Sequence, residues 1–137
     1  MNGCISITII IPAYNAEKTI RRTLNSLEKQ TNKNFKCVIV NDGSTDQTRL
    51  EIEKLMSDLS FNVLVVDKEN EGVISARYTA LQYVDTEFVL GVDADDEIPP
   101  NTIERYNFLW GNLSSQEQKD YIGICGLSYD YVNHVIC

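Results

Sequence analysis

The densest chemistry in the chain is the stretch "VLGVDADDEIPP", residues 89–100, where Asp93, Asp95, Asp96 and Glu97 follow a short, mostly apolar run. The chain already carries a formal net charge of -8. Carboxylates this close repel one another, so something must offset the cost. Two readings stand: a solvated acidic turn leading into a helix start before Pro99, where acidic residues are favoured, or a bound cation. Hard oxygen ligands with open positions suit Mg2+ or Mn2+.

Three further polar clusters share its character. "PAYN" supplies Pro12, Ala13, Tyr14 and Asn15, "NDGSTD" spans residues 41–46, and "DKENEG" spans residues 67–72. Asp42 can accept from a ligand N–H or close an Asx-type turn on its own backbone. Gly43 and Gly72 permit tight turns and close backbone approach, with Ser44 and Asn70 beside them. Tyr14 can face a ligand or pack on a sheet edge. Arg77 can face an anion or pair with a surface acid. No G-x-G-x-x-G turn and no G-x-x-x-x-G-K-[ST] loop occurs, so neither common phosphate-binding loop is present. An anionic ligand would then be held through a cation bound by the acidic loop.

The elements that must position these clusters follow from periodicity. Apolar runs at 4–11, 35–40, 61–67 and 87–92 read as buried strands,, the first ended by Pro12. Between them run helical stripes: Ile20, Leu24 and Leu27; Ile52, Leu55, Met56 and Leu59; and Ile74, Tyr78 and Leu81 in a helix over 72–84. Ser44, Thr45 or Asp46 can cap the second helix. Pro99 or Pro100 can start a fourth, with Ile103, Tyr106, Trp110 and Leu113 on one face. The aromatics Tyr106, Phe108 and Trp110 read as packing there. Residues 121–136 read as a strand and a return strand, with a hairpin around Val132 to His134. The alternation predicts an α/β fold, a Rossmann-like, mostly parallel sheet with helices on both faces. In such a sheet ligands bind beyond the carboxyl ends of the strands, and all four polar clusters fall there.

Composition agrees with one globular domain over residues 1–137: 43% hydrophobic and 23% charged, with no internal repeat or linker,. A pI near 4.5 excludes non-specific binding to nucleic acid or anionic membrane. No apolar run reaches the roughly 20 residues of a membrane span, and the chain opens without a signal peptide. Cys4, Cys37, Cys125 and Cys137 form no C-x-x-C pair, which speaks against zinc and fits a reducing, cytoplasmic setting. The Asn112-Leu113-Ser114 sequon is then without consequence.

"TIIIPAYNAEKTIRRTLNSL", "VIVNDGSTDQT", "NEGVISARYTAL" and "VDADDEIPP", in that order, resemble the GT-A glycosyltransferases, in particular the inverting family 2. The resemblance covers about residues 5–128. It implies a GT-A fold and transfer of a sugar from a nucleotide-diphosphate donor, most readily UDP-linked, to a saccharide or lipid-linked acceptor, with Mn2+ or Mg2+. It implies that Tyr14, supported by Pro12, Ala13 and Asn15, lies beside the base, and that Asp42, in a turn shaped by Gly43 and Ser44, accepts from the uracil ring nitrogen. Asn70, Gly72 and Arg77 belong to the donor site, Asp93 faces ribose or sugar, Asp95 ligates the metal, and Asp96 is a further contact. The family's general base lies in a second half that follows the hairpin region. Asp130 does not match the family's base motif, and the lone His134 has no matching motif. The chain therefore reads as the donor-binding half of a longer enzyme, truncated before its acceptor-binding half. Without that base, a non-catalytic nucleotide-sugar-binding module is the alternative. A nucleotidyltransferase would open with a glycine-rich basic loop, which "PAYNAEKT" is not.

Overall fold

The computed structural model of the chain describes residues 5–126, 129–130 and 135–136. The elements run β1 (Ile7–Ala13), α1 (Ile20–Glu28), β2 (Phe35–Asp42), α2 (Thr48–Met56), β3 (Asn62–Lys68), α3 (Val73–Leu81), β4 (Phe88–Gly91), α4 (Thr102–Gly111), α5 (Ser115–Asp120), β5 (Tyr129–Asp130) and β6 (Val135–Ile136). The first four strands form one parallel sheet in the order β3-β2-β1-β4. The strand order reverses at β1, so the β1–β4 boundary is the crevice where such sheets take ligands.

Alternation along the strands splits the core in two. Ile9, Ile11, Cys37 and Ile39 point to one face and pack with Ile20, Leu24 and Leu27 of α1, Ile52 and Leu55 of α2, and Ile103 and Trp110 of α4. Ile10, Val38 and Val40 point to the other and meet Ala76 and Ala80 of α3. Being covered on both faces is why β1 is buried along all seven of its residues,. The Trp110 ring meets Phe88 edge-on at 4.7 Å, so Trp110 packs and Tyr106 is half-buried, while Phe108 is exposed.

Several expectations are corrected. Pro12 lies inside β1, opposite Val40. The Val92 N–H donates to the Ile10 carbonyl, so the same edge at Pro12 faces the space past the end of β4, where a missing N–H costs no ladder bond. The stripe Ile74, Tyr78 and Leu81 is exposed. Two alanines one turn apart let α3 lie close to β1 and β2, and the bulkier stripe faces outward. Met56 is exposed where Ile52 and Leu55 are buried. Residues 121–126 form no strand; the antiparallel pair is β5 with β6. Val132 and His134 lie outside the described residues. α5 was not expected, although Ser114 and Glu117 form a reciprocal capping box, a signal written in "SSQE".

Candidate functional site

The carboxyl ends of β1, β2, β3 and β4 each open into one of the four polar clusters. The first two are stitched together. Asn15, at φ 49, accepts from the Thr45 N–H at 2.8 Å and donates its own N–H to Ser44 Oγ at 3.0 Å. The Ala16 N–H reaches Thr48 Oγ1 at 2.7 Å. Asp46 Oδ1 accepts from the Thr48 N–H at 2.9 Å, and its Oδ2 from the Glu17 N–H at 3.2 Å. Of the three candidate caps for α2, Asp46 therefore does the capping, although it sits one residue before the formal N-cap. Tyr14 stands 52% exposed beside this lattice, while Pro12 and Ala13 are buried beneath it.

The second and third clusters meet at Asp42, the last residue of β2 and the register partner of Lys68, the last residue of β3. Asp42 Oδ1 accepts from Lys68 Nζ at 3.0 Å and from the Glu71 N–H at 3.2 Å; Oδ2 accepts from the Gly72 N–H at 2.8 Å. Burial pushes the Asp42 carboxyl up, but the Lys68 ammonium and the two backbone N–H groups outweigh it and hold the carboxyl below its ordinary value,. Asp42 is thus a buried anion with three of about four acceptor positions filled. Beside it, Asn41 donates to Asp67 Oδ1 at 2.8 Å, and Arg49 Nε donates to Asp67 Oδ2 at 2.9 Å. Gly43 has φ +66, and a Cβ there would lie 2.6 Å from the Asn70 backbone nitrogen. The β2 turn and the segment around Asn70 touch because residue 43 has no side chain.

The fourth cluster is looser. The Asp96 N–H bonds to the Asp93 carbonyl at 3.0 Å, closing the acidic turn. Arg77 of α3 donates to Asp93 Oδ1 at 2.6 Å, joining two motifs far apart in sequence. Arg22 of α1 donates to the Asp95 carbonyl oxygen at 2.5 Å, a tether that sequence reasoning did not single out. The Asp95 and Asp96 side chains are exposed. Although Asp96 is largely exposed, desolvation by the protein atoms around its carboxyl, then the charges of Asp95 and Asp93, push that carboxyl up against the opposing charge of Arg22,. Among the described residues no three acidic, histidine or cysteine side chains converge on a single metal position. The donor set nevertheless fits a Mg2+ or Mn2+ ion, which takes one or two carboxylates and fills its other positions from water and substrate phosphates. Asp95 and Asp96 are the free carboxylates here.

Lys68 and Arg49 also escaped the sequence reading. Lys68 meets Asp42 through strand register, and Arg49 meets Asp67 because α2 packs beside β3, arrangements that only the fold reveals. Of the cysteines, Cys37 is buried and Cys125 exposed, both as free thiols. Among the described residues no helix is long and apolar enough to cross a membrane.

The family model for glycosyl transferase family 2 matches residues 8–107. The chain is 42% identical over 98 residues to the glycosyltransferase GlyA of Streptococcus pneumoniae, covering 72% of this chain and 14% of that protein. It is 39% identical over 102 residues to the poly(ribitol-phosphate) beta-N-acetylglucosaminyltransferase TarS of Staphylococcus aureus, covering 73% and 18%. Among solved structures, residues 1–349 of S. aureus TarS in complex with UDP-GlcNAc match with a TM-score of 0.66 at 39% identity, over 74% of this chain and 30% of that one. The mannosyltransferase PcManGT of Pyrobaculum calidifontis, in complex with GDP-Man and Mn2+, matches with a TM-score of 0.65 at 28% identity, over 68% and 28%. The chain spans less than a fifth of the length of GlyA or TarS.

Proposed function

The chain belongs to glycosyl transferase family 2, and from that premise we propose that it forms the donor-binding part of a glycosyltransferase. It takes a UDP-sugar with the help of Mn2+ or Mg2+, and it serves transfer with inversion to a saccharide or lipid-linked acceptor in cell-wall or polysaccharide synthesis. The observation that carries this reading is one strand rim bearing both a buried carboxylate acceptor, Asp42, and an acidic turn at 93–96 whose Asp95 and Asp96 side chains are exposed. Two of the solved relatives named above hold nucleotide sugars.

Each residue then has a task. Tyr14, exposed above Pro12, Ala13 and the Asn15–Ser44 lattice, offers a ring face to a base. Asp42 has one acceptor position left, on Oδ2. A single ring N–H, as in uracil, matches it, whereas guanine presents two donors side by side and asks for two acceptors. Gly43, Asn70 and Gly72 form the wall of this subsite. Asp93, held by Arg77, faces ribose or sugar, and Arg77 places a positive charge where a diphosphate lies. Asp95, with Asp96 beside it, holds the metal. When bound, the ion neutralises charge that builds on the leaving diphosphate as the sugar–phosphate bond breaks. No described residue is assigned to accepting the proton of the acceptor hydroxyl.

Calorimetry tests this with UDP and Mn2+. The wild-type chain binds UDP in a Mn2+-dependent manner, and Asp95→Ala weakens binding by about tenfold or more, the loss of one charge-assisted contact. Absence of UDP binding by the wild type, or equal binding by the variant, overturns the reading.

A further inference from the structure

A lysine at the rim of a diphosphate site invites assignment as a phosphate ligand, but the geometry of Lys68 says otherwise. Its Nζ donates to Asp42 Oδ1 at 3.0 Å, to Glu71 Oε2 at 2.8 Å and to the Glu69 carbonyl at 2.7 Å. An ammonium has three donors, and all three are spent within the fold. Its side chain is 15% exposed, that of Asp42 3%, and that of Glu71 64%. Glu71 Oε2 is fixed in turn by the Ser75 hydroxyl at 2.7 Å. One side chain therefore ties the end of β2 to the 69–72 segment and the first turn of α3.

We propose that Lys68 is a positioning residue for base selection: it holds Asp42 as an acceptor-only carboxylate with a single free position on Oδ2, so that the subsite takes a base presenting a ring N–H, such as uracil, and rejects cytosine, whose ring nitrogen at the same place is an acceptor. This rests on the reading of Asp42 as the base acceptor. Two acceptors face to face leave a buried group unpaired and two lone pairs opposed, which is how a polar subsite discriminates strongly between ligands of equal shape. Removing the ammonium leaves only the Glu71 and Gly72 N–H groups to hold Asp42 ionised against burial and the nearby Glu71 carboxylate, which shifts the balance toward its protonated form,. To the extent that Asp42 is protonated it can donate, and the discrimination against cytosine weakens.

The experiment measures UDP and CDP affinity, with Mn2+ present, for the full chain as wild type, Lys68→Met, Lys68→Arg and Asp42→Asn, each checked for folding by thermal unfolding. Lys68→Met is expected to lose about tenfold in UDP affinity, the weight of one charge-assisted hydrogen bond, while CDP affinity stays level, so the UDP/CDP preference falls by the same factor. The UDP loss relative to wild type deepens as pH is lowered, because the variant's Asp42 takes up its proton at a higher pH than the wild type's; comparing proteins at each pH cancels titration of the ligand. Lys68→Arg keeps the charge and recovers part of the preference. Equal losses for UDP and CDP in Lys68→Met would make Lys68 a phosphate ligand and overturn the proposal. A folded Lys68→Met with wild-type preference and a wild-type pH profile also overturns it. Asp42→Asn separates the premise: if it retains the preference for UDP, the assignment of Asp42 to the base has failed, and the proposal falls with it for that distinct reason.

Discussion

Gly43 and Gly72 sit on either side of the Asp42 carboxylate, and both have positive φ, at 66° and 92°. Their requirements differ in kind. A Cβ on Gly72 would have no other atom within 4 Å, so an alanine there meets only backbone strain; its φ 92, ψ 166 conformation is close to glycine-only and costs about 1–3 kcal/mol for other residues. At Gly43 a Cβ would overlap the Asn70 backbone nitrogen at 2.6 Å, and backbone cannot swing aside as a side chain can. Gly43→Ala should therefore destabilise more than Gly72→Ala, read as a larger drop in the urea midpoint. It should also weaken UDP binding more, because the β2 turn and the Asn70 segment are pushed apart. Equal effects would mean that the contact with Asn70 yields at no cost. At this scale the sequence was informative where a residue type has few uses: the glycines, Asp42 and the acidic run all stood out. Lys68, Arg22 and Arg49 did not, because each acts through a partner 18 to 73 residues away, and only strand register and helix placement bring them together.

The strands and the first two helices were legible because β-branched runs and i, i+4, i+7 stripes have few alternatives. α3 was legible as a helix and misread as a surface. Its apolar residues occupy two stripes, Ala76 with Ala80 and Ile74 with Tyr78 and Leu81, and size alone favoured the wrong one. The sheet chose the small pair because alanine lets the helix backbone approach Ile10, Val38 and Val40. This assignment has a direct consequence. Ala76→Leu forces extra volume into a closed interface and should cost about 1–3 kcal/mol. Ile74→Ser, on a side chain 82% exposed, should stay within about 0.5 kcal/mol of wild type. Denaturant unfolding of the two variants measures this, and a larger loss for Ile74→Ser would reverse the orientation of α3. Pro12 was misread for a related reason: a proline ends a strand only if its missing N–H faces a neighbour, and β4 stops short of it.

Across the whole molecule the rim divides into two electrostatic halves that answer pH in opposite directions. On the stitched side, burial raises the carboxyls of Asp42, Asp46 and Asp67, but hydrogen bonds from Lys68 and backbone to Asp42, from Thr48 and Glu17 to Asp46, and from Asn41 and Arg49 to Asp67 bring all three below their ordinary 3.8. The native state then binds fewer protons than the unfolded chain in that window. Their stabilisation is complete above about pH 4 and is lost as pH falls through their lowered values. In the acidic turn, burial and the charges of Asp95 and Asp93 raise Asp96. There the native state holds its proton longer than the unfolded chain does, so the cost of ionising Asp96 sets in as pH rises from 3.8 and is fully present above its raised value,. The two halves predict a distinctive pair of melting curves. Asp96→Asn should raise the melting temperature at pH 7, where wild type bears the full repulsion, and converge on wild type near pH 3, where Asp96 is protonated in both states. Asp42→Asn should do the reverse, destabilising at pH 7 and less so near pH 3. If Asp96→Asn instead destabilises the chain at pH 7, the acidic turn is compensated in a way its neighbours do not account for, and the case for a cation there weakens with it.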